Sequence, residues 1–205
     1  MSMTNSYATL VQVKAALRMG TADTTDDSLL EMAIESASRM IDDDCDRVFY
    51  ASGTGVTRYF ESCDEDELDI DDCISISSIA IDWDYDGVYE TTLGTAGYRT
   101  VPLNGVQAGR PWPITGIETR IGYYLPTFDE VPTVAITGNW GFGTAVPTEV
   151  TQACVIQSLR VFKRLDSPLG VAGFGDMGAV RVSRTDPDVF AMIRRYKRNG
   201  MVGLA

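Results

Sequence analysis

Seven carboxylates fall within nine residues in Asp64-Glu65-Asp66-Glu67-Leu68-Asp69-Ile70-Asp71-Asp72. Acid–base catalysis by paired carboxylates needs burial and two distinct environments that split their pKa values. A continuous solvated run offers neither, so the stretch is expected as an exposed acidic strand-and-loop edge, useful against a basic neighbour or for repelling mis-pairing. A second candidate, Asp82-Trp83-Asp84-Tyr85-Asp86-Gly87, opens like a calcium loop of the form D-x-D-x-D-G. The twelfth position, where such a loop presents a bidentate glutamate, is Leu93, and strand patterns rather than helices flank the run. It reads as a hairpin tip with solvated carboxylates and no metal; a calcium-dependent β-rich binding module is the lesser alternative. The third, Gly173-Phe174-Gly175-Asp176-Met177-Gly178, satisfies G-x-G-x-x-G. Holding a pyrophosphate requires a strand before that motif and a helix N-terminus after it. Here a helical pattern precedes it and Ala179-Val180-Arg181-Val182 reads as extended, so Gly170 to Gly178 is expected as a flexible loop without a nucleotide.

The wider composition points away from catalysis. The sequence contains no histidine, which removes Ser-His-Asp and Cys-His triads, imidazole metal sites and the commonest general base near neutral pH. We expect no catalytic residues, no cofactor and no enzyme. No apolar run approaches the roughly 20 residues of a bilayer span, and MSMTNSYATL lacks the basic and apolar regions of a secretion signal, so neither membrane nor export is expected. Four cysteines at irregular spacing (Cys45, Cys63, Cys73, Cys154) are then expected as buried reduced thiols, with a Cys63–Cys73 bridge as the alternative. Net charge is −12, unevenly laid out: residues 1–150 carry 8 Lys and Arg against 25 Asp and Glu, and residues 151–205 carry 9 against 4. A duplex-DNA reader presents a strongly basic face, which this body does not. An acidic body with a basic tail suits a chain whose ends meet different surfaces, set against the plainer reading of a solvated acidic exterior.

The elements that must position these residues run helix, strand, helix. Thr9 is placed to cap a helix from Leu10 to about Met19, stopped by Gly20. A longer helix follows Thr25, with Asp26 and Asp27 in its first turn and an apolar stripe of Leu30, Ile34, Ala37, Ile41 and Cys45. Its end, Asp42-Asp43-Asp44-Cys45-Asp46-Arg47, sets carboxylates against the helix dipole unless something basic faces them. Alternation then predicts strands at 56–60, 74–77, 79–83, 98–101, 116–121 and 133–137, with a tight turn at Asp86-Gly87. Seven of the eight prolines lie between Pro102 and Pro168, as loop-rich β structure requires. Helix returns at Pro147, with Val150, Cys154, Gln157 and Val161 in one line and Ala153, Ile156 and Leu165 beside it, apolar over much of its surface. A last helix opens at Thr185-Asp186-Pro187 and ends in Arg194-Arg195-Tyr196-Lys197-Arg198, where cations suit the dipole. The expected class is α+β: a helical body, two helices at each end of the chain (1–50 and 147–205), with a central β-strand-rich insertion (51–146).

These residues resemble a known family. Tyr7-Ala8-Thr9-Leu10-Val11-Gln12-Val13-Lys14-Ala15-Ala16-Leu17, then Asp26-Asp27-Ser28-Leu29-Leu30 and the ending Ile41-Asp42 to Cys45-Asp46-Arg47-Val48-Phe49, resemble the opening of phage head–tail connector proteins of the gp6-like class. The pattern is a short helix, an acidic link and a helix ending in I-D-x-x-C-x-R-x-F. Thr137-Gly138-Asn139-Trp140-Gly141-Phe142-Gly143 through Pro147-Thr148-Glu149-Val150, then Lys163-Arg164-Leu165-Asp166-Ser167-Pro168-Leu169-Gly170 and Arg184-Thr185-Asp186-Pro187-Asp188-Val189, look like its actinobacteriophage branch. The resemblance implies a structural virion protein: an adaptor ring, usually twelve-fold, beneath the portal. Such a ring extends the DNA channel and gives the tail its platform, made in the host cytoplasm and kept in the virion neck. Implied partners are further copies of the chain, the portal and the downstream neck or tail proteins. Genomic DNA would pass through without sequence-specific binding. Another neck position, stopper or head completion protein, is the nearest alternative. On this reading Arg181, Arg184, Asp186, Arg194, Arg195, Tyr196, Lys197 and Arg198 are expected to dock on the portal or the adjacent subunit. Gly170, Gly173, Phe174, Gly175 and Gly178 would form a loop that orders on docking.

Overall fold

The computed structural model describes residues 3–128, 130–164 and 186–198. It is α+β, and the chain divides into two compact units, Met1–Arg47 with Val146–Ala205, and Val48–Ala145. The first is helical: α1 (Leu10–Ala16), α2 (Asp27–Cys45), α3 (Thr148–Lys163) and α4 (Pro187–Ile193). The second carries β1 (Gly53–Phe60), β2 (Glu67–Ile81), β3 (Thr91–Thr92), β4 (Tyr98–Val101), β5 (Val106–Gln107), β6 (Arg110–Pro111), β7 (Ile114–Thr119) and β8 (Val134–Trp140).

Thr9 caps α1 as its type predicts, in a capping box with Gln12. The helix stops three residues short of the expected Met19. Arg18, at φ 59°, takes the left-handed position, with Met19 N–H on the Lys14 carbonyl and Arg18 N–H on that of Ala15. This is a Schellman ending made without the glycine that usually provides it. The early stop lets buried Lys14 turn its ammonium into the link to α2, where it donates to the Thr21 and Asp23 carbonyls and meets Asp27 Oδ1 at 2.6 Å. The predicted stripe of α2 is buried throughout: Leu30, Ile34, Ala37, Ile41 and Cys45 are at most 1% exposed. The stripe packs on α3, whose Val150, Ala153, Cys154 and Gln157 are buried, while Ile156 and Val161 are only half-buried. Pro147 stands one residue before α3, as its N-cap, instead of being its first residue. Leu165 and the segment to Thr185, including the extended piece at 179–182, lie outside the described residues.

In the β unit the strands run β1-β8-β2-β7-β4, all antiparallel, with β3 also on β2 and β5–β6 a separate ribbon. Two expectations are corrected here. The stretches 74–77 and 79–83 are one strand with 67–73, because two bulges against β8 (Cys73/Ser75 and Ile76/Ser78) absorb the break in alternation. The acidic run is therefore not a sheet edge: its second half opens β2, which lies between β8 and β7. Period-two geometry explains how. Leu68 and Ile70 turn into the core while Glu67 and Asp69 remain exposed. Asp71 meets Arg58 at 2.6 Å, and Asp72 is buried.

The core of this unit gathers Ile79, Ile81, Ile117, Leu125, Val134 and Ile136 around Trp140, which is fully buried. Trp140 Nε1 donates to the Val56 carbonyl at 2.8 Å, the Arg58 guanidinium lies 4.5 Å from its ring centroid, and Phe60 packs at 5.6 Å. The next residue has no room for a side chain. A Cβ on Gly141 would lie 2.1 Å from the Tyr50 carbonyl oxygen, and its φ is +119°. Strain at that φ and overpacking each cost on the order of 1–3 kcal/mol, so Gly141→Ala is expected to lose about 2–5 kcal/mol of unfolding free energy in urea.

All four thiols are free, so the Cys63–Cys73 bridge does not form. Cys45, Cys73 and Cys154 are buried as expected, but Cys63 is exposed, in the short connection before β2. Burial, with Asp44 close by, pushes the Cys45 thiol up to about 12, and burial raises Cys73 and Cys154 as well. A thiolate is the reacting species. A disulfide reagent at pH 8 should therefore label Cys63 alone in the native protein and all four cysteines after unfolding.

Candidate docking surface

The basic end of the chain is placed by α3 and α4. Asp186 caps α4, accepting from the Asp188 N–H at 2.9 Å, and its other oxygen takes Arg160 of α3 at 3.1 Å. Pro187 follows as the first helical residue, where its missing N–H costs nothing. Val189 and Ile193 bury the inner side of α4. The helix then ends at Ile193, short of the expected Arg198, and Arg194–Tyr196 form a 3-10 turn. That tightening turns Tyr196 inward: it is 4% exposed and its hydroxyl donates to Glu149 Oε2 at 3.1 Å.

The turn delivers the chain to the acidic end of α2. The Arg198 N–H donates to the Cys45 carbonyl at 2.8 Å, satisfying one of the last-turn acceptors of that helix, and Lys197 lies near enough to favour ionisation of the Cys45 thiol. Asp42 is held from the other side. Tyr7 donates to its Oδ1 in a short hydrogen bond and Arg39 lies 3.2 Å from Oδ2, while burial raises its pKa. The tail thus brings a backbone donor and one cation to the acidic end of α2.

Of the residues expected to dock, Arg194, Arg195 and Lys197 are exposed and Arg198 is half-buried, all in one short segment. Asp186 and Tyr196 stand in the same segment but are engaged with Arg160 and Glu149. Arg181, Arg184, Gly170, Gly173, Phe174, Gly175 and Gly178 lie outside the described residues.

The carboxylate motif forms a loop, 82–90, joining β2 to β3. It is a hairpin as expected, with Gly87 at φ +85°, but longer than a tight turn, and Trp83 belongs to the loop. Asp82 is buried and holds the loop by accepting from the Tyr85 and Gly87 N–H groups at 2.8 and 2.9 Å. One oxygen from each of Asp82, Asp84, Asp86 and Glu90 lies within 4.8 Å of the others. Glu90 stands at the ninth position of the calcium-loop spacing that Asp82 opens, a ligand position that a reading based on the twelfth residue passes over. At the loop, exposed Tyr85 stacks on exposed Phe128 at 4.2 Å, and half-buried Trp83, packed against the core, lies edge-on to exposed Tyr124 at 5.0 Å. On the β7–β4 side of the sheet, Arg99 pairs with Glu118, and Arg120 donates to the Tyr98 carbonyl at 3.1 Å, so both guanidiniums serve the sheet.

No family model matches the sequence, and no curated protein does. Solved structures do match over nearly the whole chain. A chain of the neck of an empty gene transfer agent particle, computed with C6 symmetry, aligns at a TM-score of 0.60 and 20% identity, over 99% of this chain and 95% of that one. A chain of the neck of the native particle, computed with C12 symmetry, aligns at 0.57 and 18%, with the same coverage, and so does a chain of the native particle's virion. At that identity the likeness establishes a shared fold, from the first helices to the last.

Proposed function

We propose that this chain is a structural protein of a virion neck, a head-to-tail adaptor whose copies form a ring beneath the portal, and that it is not an enzyme. One observation carries the reading: a fold likeness over 99% of the chain to chains from the neck of a particle with C6 or C12 symmetry. A fold with a β-rich middle between helical ends could be put to many uses, but whole-length likeness includes the short α1 and the returning α4 as well. Charge is consistent with a channel role. Residues 48–145 carry 4 Lys and Arg against 15 Asp and Glu, so a β unit lining the channel would repel phosphate and let DNA slide. The ring, twelve-fold by this reading, would continue the DNA path from portal to tail.

Within that role the described tail offers Arg194, Arg195 and Lys197 as cations for the portal or the adjacent copy, while Asp186 and Tyr196 keep the segment folded. Residues 168–185 would extend the same docking segment.

Negative-stain imaging and mass analysis of the full chain, alone and with the portal of its own particle, test the reading. Rings, or a portal complex with stoichiometric added mass, are expected. A persistent monomer that ignores the portal overturns it, and binding only to a portal already bearing another neck protein assigns a lower position, such as stopper or completion protein. Replacing Arg194 and Arg195 together by Glu, with Lys197 kept because it lies at the acidic end of α2, should weaken portal capture by about tenfold or more. The melting temperature should fall little, since cations near a helix end contribute only about 0.3–1 kcal/mol each.

A further inference from the structure

We infer that in the ring α4 of each copy docks on the 82–90 loop of the next copy. Phe190 meets the stacked Tyr85 and Phe128, and Arg194 and Arg195 meet Asp84, Asp86 and Glu90. The inference rests on the ring reading above and chooses between its two receivers for the basic segment, the adjacent copy and the portal.

The receiving surface joins apolar and acidic groups without a cation. Tyr85 and Phe128 stack on each other, yet both stay exposed, and Tyr85 stands between Asp84 and Asp86 in the chain. With Asp82 and Glu90, four carboxylates gather within 4.8 Å of one another, where like charges repel. Among the described residues none of the four is ion-paired. The sequence has no Lys or Arg from 59 to 98 or from 121 to 133, the two stretches that build this surface.

The outer side of α4 is its counterpart. Phe190 and Ala191 are followed four residues later by Arg194 and Arg195, and all four are exposed, Phe190 at 53%. Neither arginine is ion-paired among the described residues. An aromatic ring thus stands one turn, about 6 Å, from a guanidinium. The loop offers a ring pair one residue from a carboxylate, so both halves of the contact can be made together. Other surfaces with cations and a ring suit the loop less. Arg99 and Arg120 beside Tyr123 are engaged in the sheet, and Lys163 and Arg164 follow Phe162, which is half-buried.

Charge also makes the contact discriminate. Loop on loop would set carboxylates against carboxylates, and α4 on α4 would set arginines against arginines. Loop and α4 are unlike surfaces carried by every copy, so their contact is heterologous and passes from copy to copy until the rotation closes.

The test is a charge reversal, read by mass photometry and negative-stain imaging under the condition, with or without portal, in which the natural chain forms rings. Arg194→Glu with Arg195→Glu, and separately Asp84→Lys with Glu90→Lys, should each raise the concentration needed for rings by about tenfold or more. All four side chains are exposed, and melting temperatures check that both variants fold. An equimolar mixture of the two variants should recover most of the loss, because alternating copies restore every contact with one polarity or the other. Phe190→Ala should weaken ring formation several-fold. The inference is overturned if the mixture is no better than its components at unchanged melting temperature, or if the loop variant forms rings as the natural chain does. Loss of portal capture by the arginine variant alone sends α4 to the portal, which overturns this contact and leaves the adaptor reading standing. Rings that need calcium and ignore the arginine reversal assign the carboxylates to a metal and overturn the contact as well. A natural chain that forms no ring in either condition overturns the adaptor reading itself, and this contact with it.

Discussion

The helical unit depends on an electrostatic conflict at one helix end. α2 closes with Asp42, Asp43, Asp44 and Asp46, where the last-turn carbonyls already concentrate negative potential. No basic residue stands in that last turn. The fold answers with one group from the preceding turn of the same helix, Arg39, and with others from elsewhere in the chain. Tyr7 and Arg39 hold Asp42, and the tail brings the Arg198 amide and Lys197 to the Cys45 end. Both ends of the sequence are therefore needed to finish one helix. This explains why the unit is built from segments more than a hundred residues apart, and why the short α4 is worth forming. Its cap, proline and 3-10 turn aim the last described residues at α2.

The β unit depends on one strand instead. β8 pairs with β1 on one side and β2 on the other, and its last residue, Trp140, fills the space under the sheet. Its glycines are the places where neighbouring backbone comes closest. A Cβ on Gly138 would sit 2.5 Å from the Ser75 carbonyl oxygen, beside the bulges of β2, just as one on Gly141 would strike Tyr50. Fixing β2 this way makes it safe to begin that central strand with acidic residues. Once Leu68 and Ile70 are held inward, the intervening carboxylates have no choice of face, and only Asp72 is drawn into the core.

What was legible in the sequence is what local chemistry decides. Thr9 with Gln12, Asp186 with Pro187, and the three-to-four spacing of Leu30, Ile34, Ala37 and Ile41 announce their roles within a few residues of themselves. What was not legible depends on partners distant in the chain. Arg18 takes a left-handed ending that Gly20 seemed made for, and the early stop leaves Lys14 free to meet Asp27. The acidic run looked like an edge because its charge density hides a two-residue alternation, and strand order within a sheet leaves no mark on a single strand. Glu90 is the exception: its place beside Asp82, Asp84 and Asp86 was legible as the ninth position of the same spacing, and weighing only the twelfth residue missed it. The C-terminal segment was legible as charge but not as geometry: it opens with Asp186 and Asp188 and ends in four cations, yet Tyr196 among them is packed away while Arg194, Arg195 and Lys197 are exposed.

The segregation of charge follows from these constraints. A ring subunit needs two unlike faces that recognise each other but not themselves. Apolar surface alone cannot supply this, since any two greasy helix faces attract, including two copies of the same one. Charge can, provided that it is sorted by element and not mixed along the surface. Here nine of the fourteen acidic groups of the helical unit lie before residue 47 and nine of its thirteen basic ones after residue 159, on helices that pack together within the chain. The helical unit thus carries acid at the end of α2 and base at the end of α3, and the crowding of carboxylates at one helix end is the counterpart of their scarcity at the other.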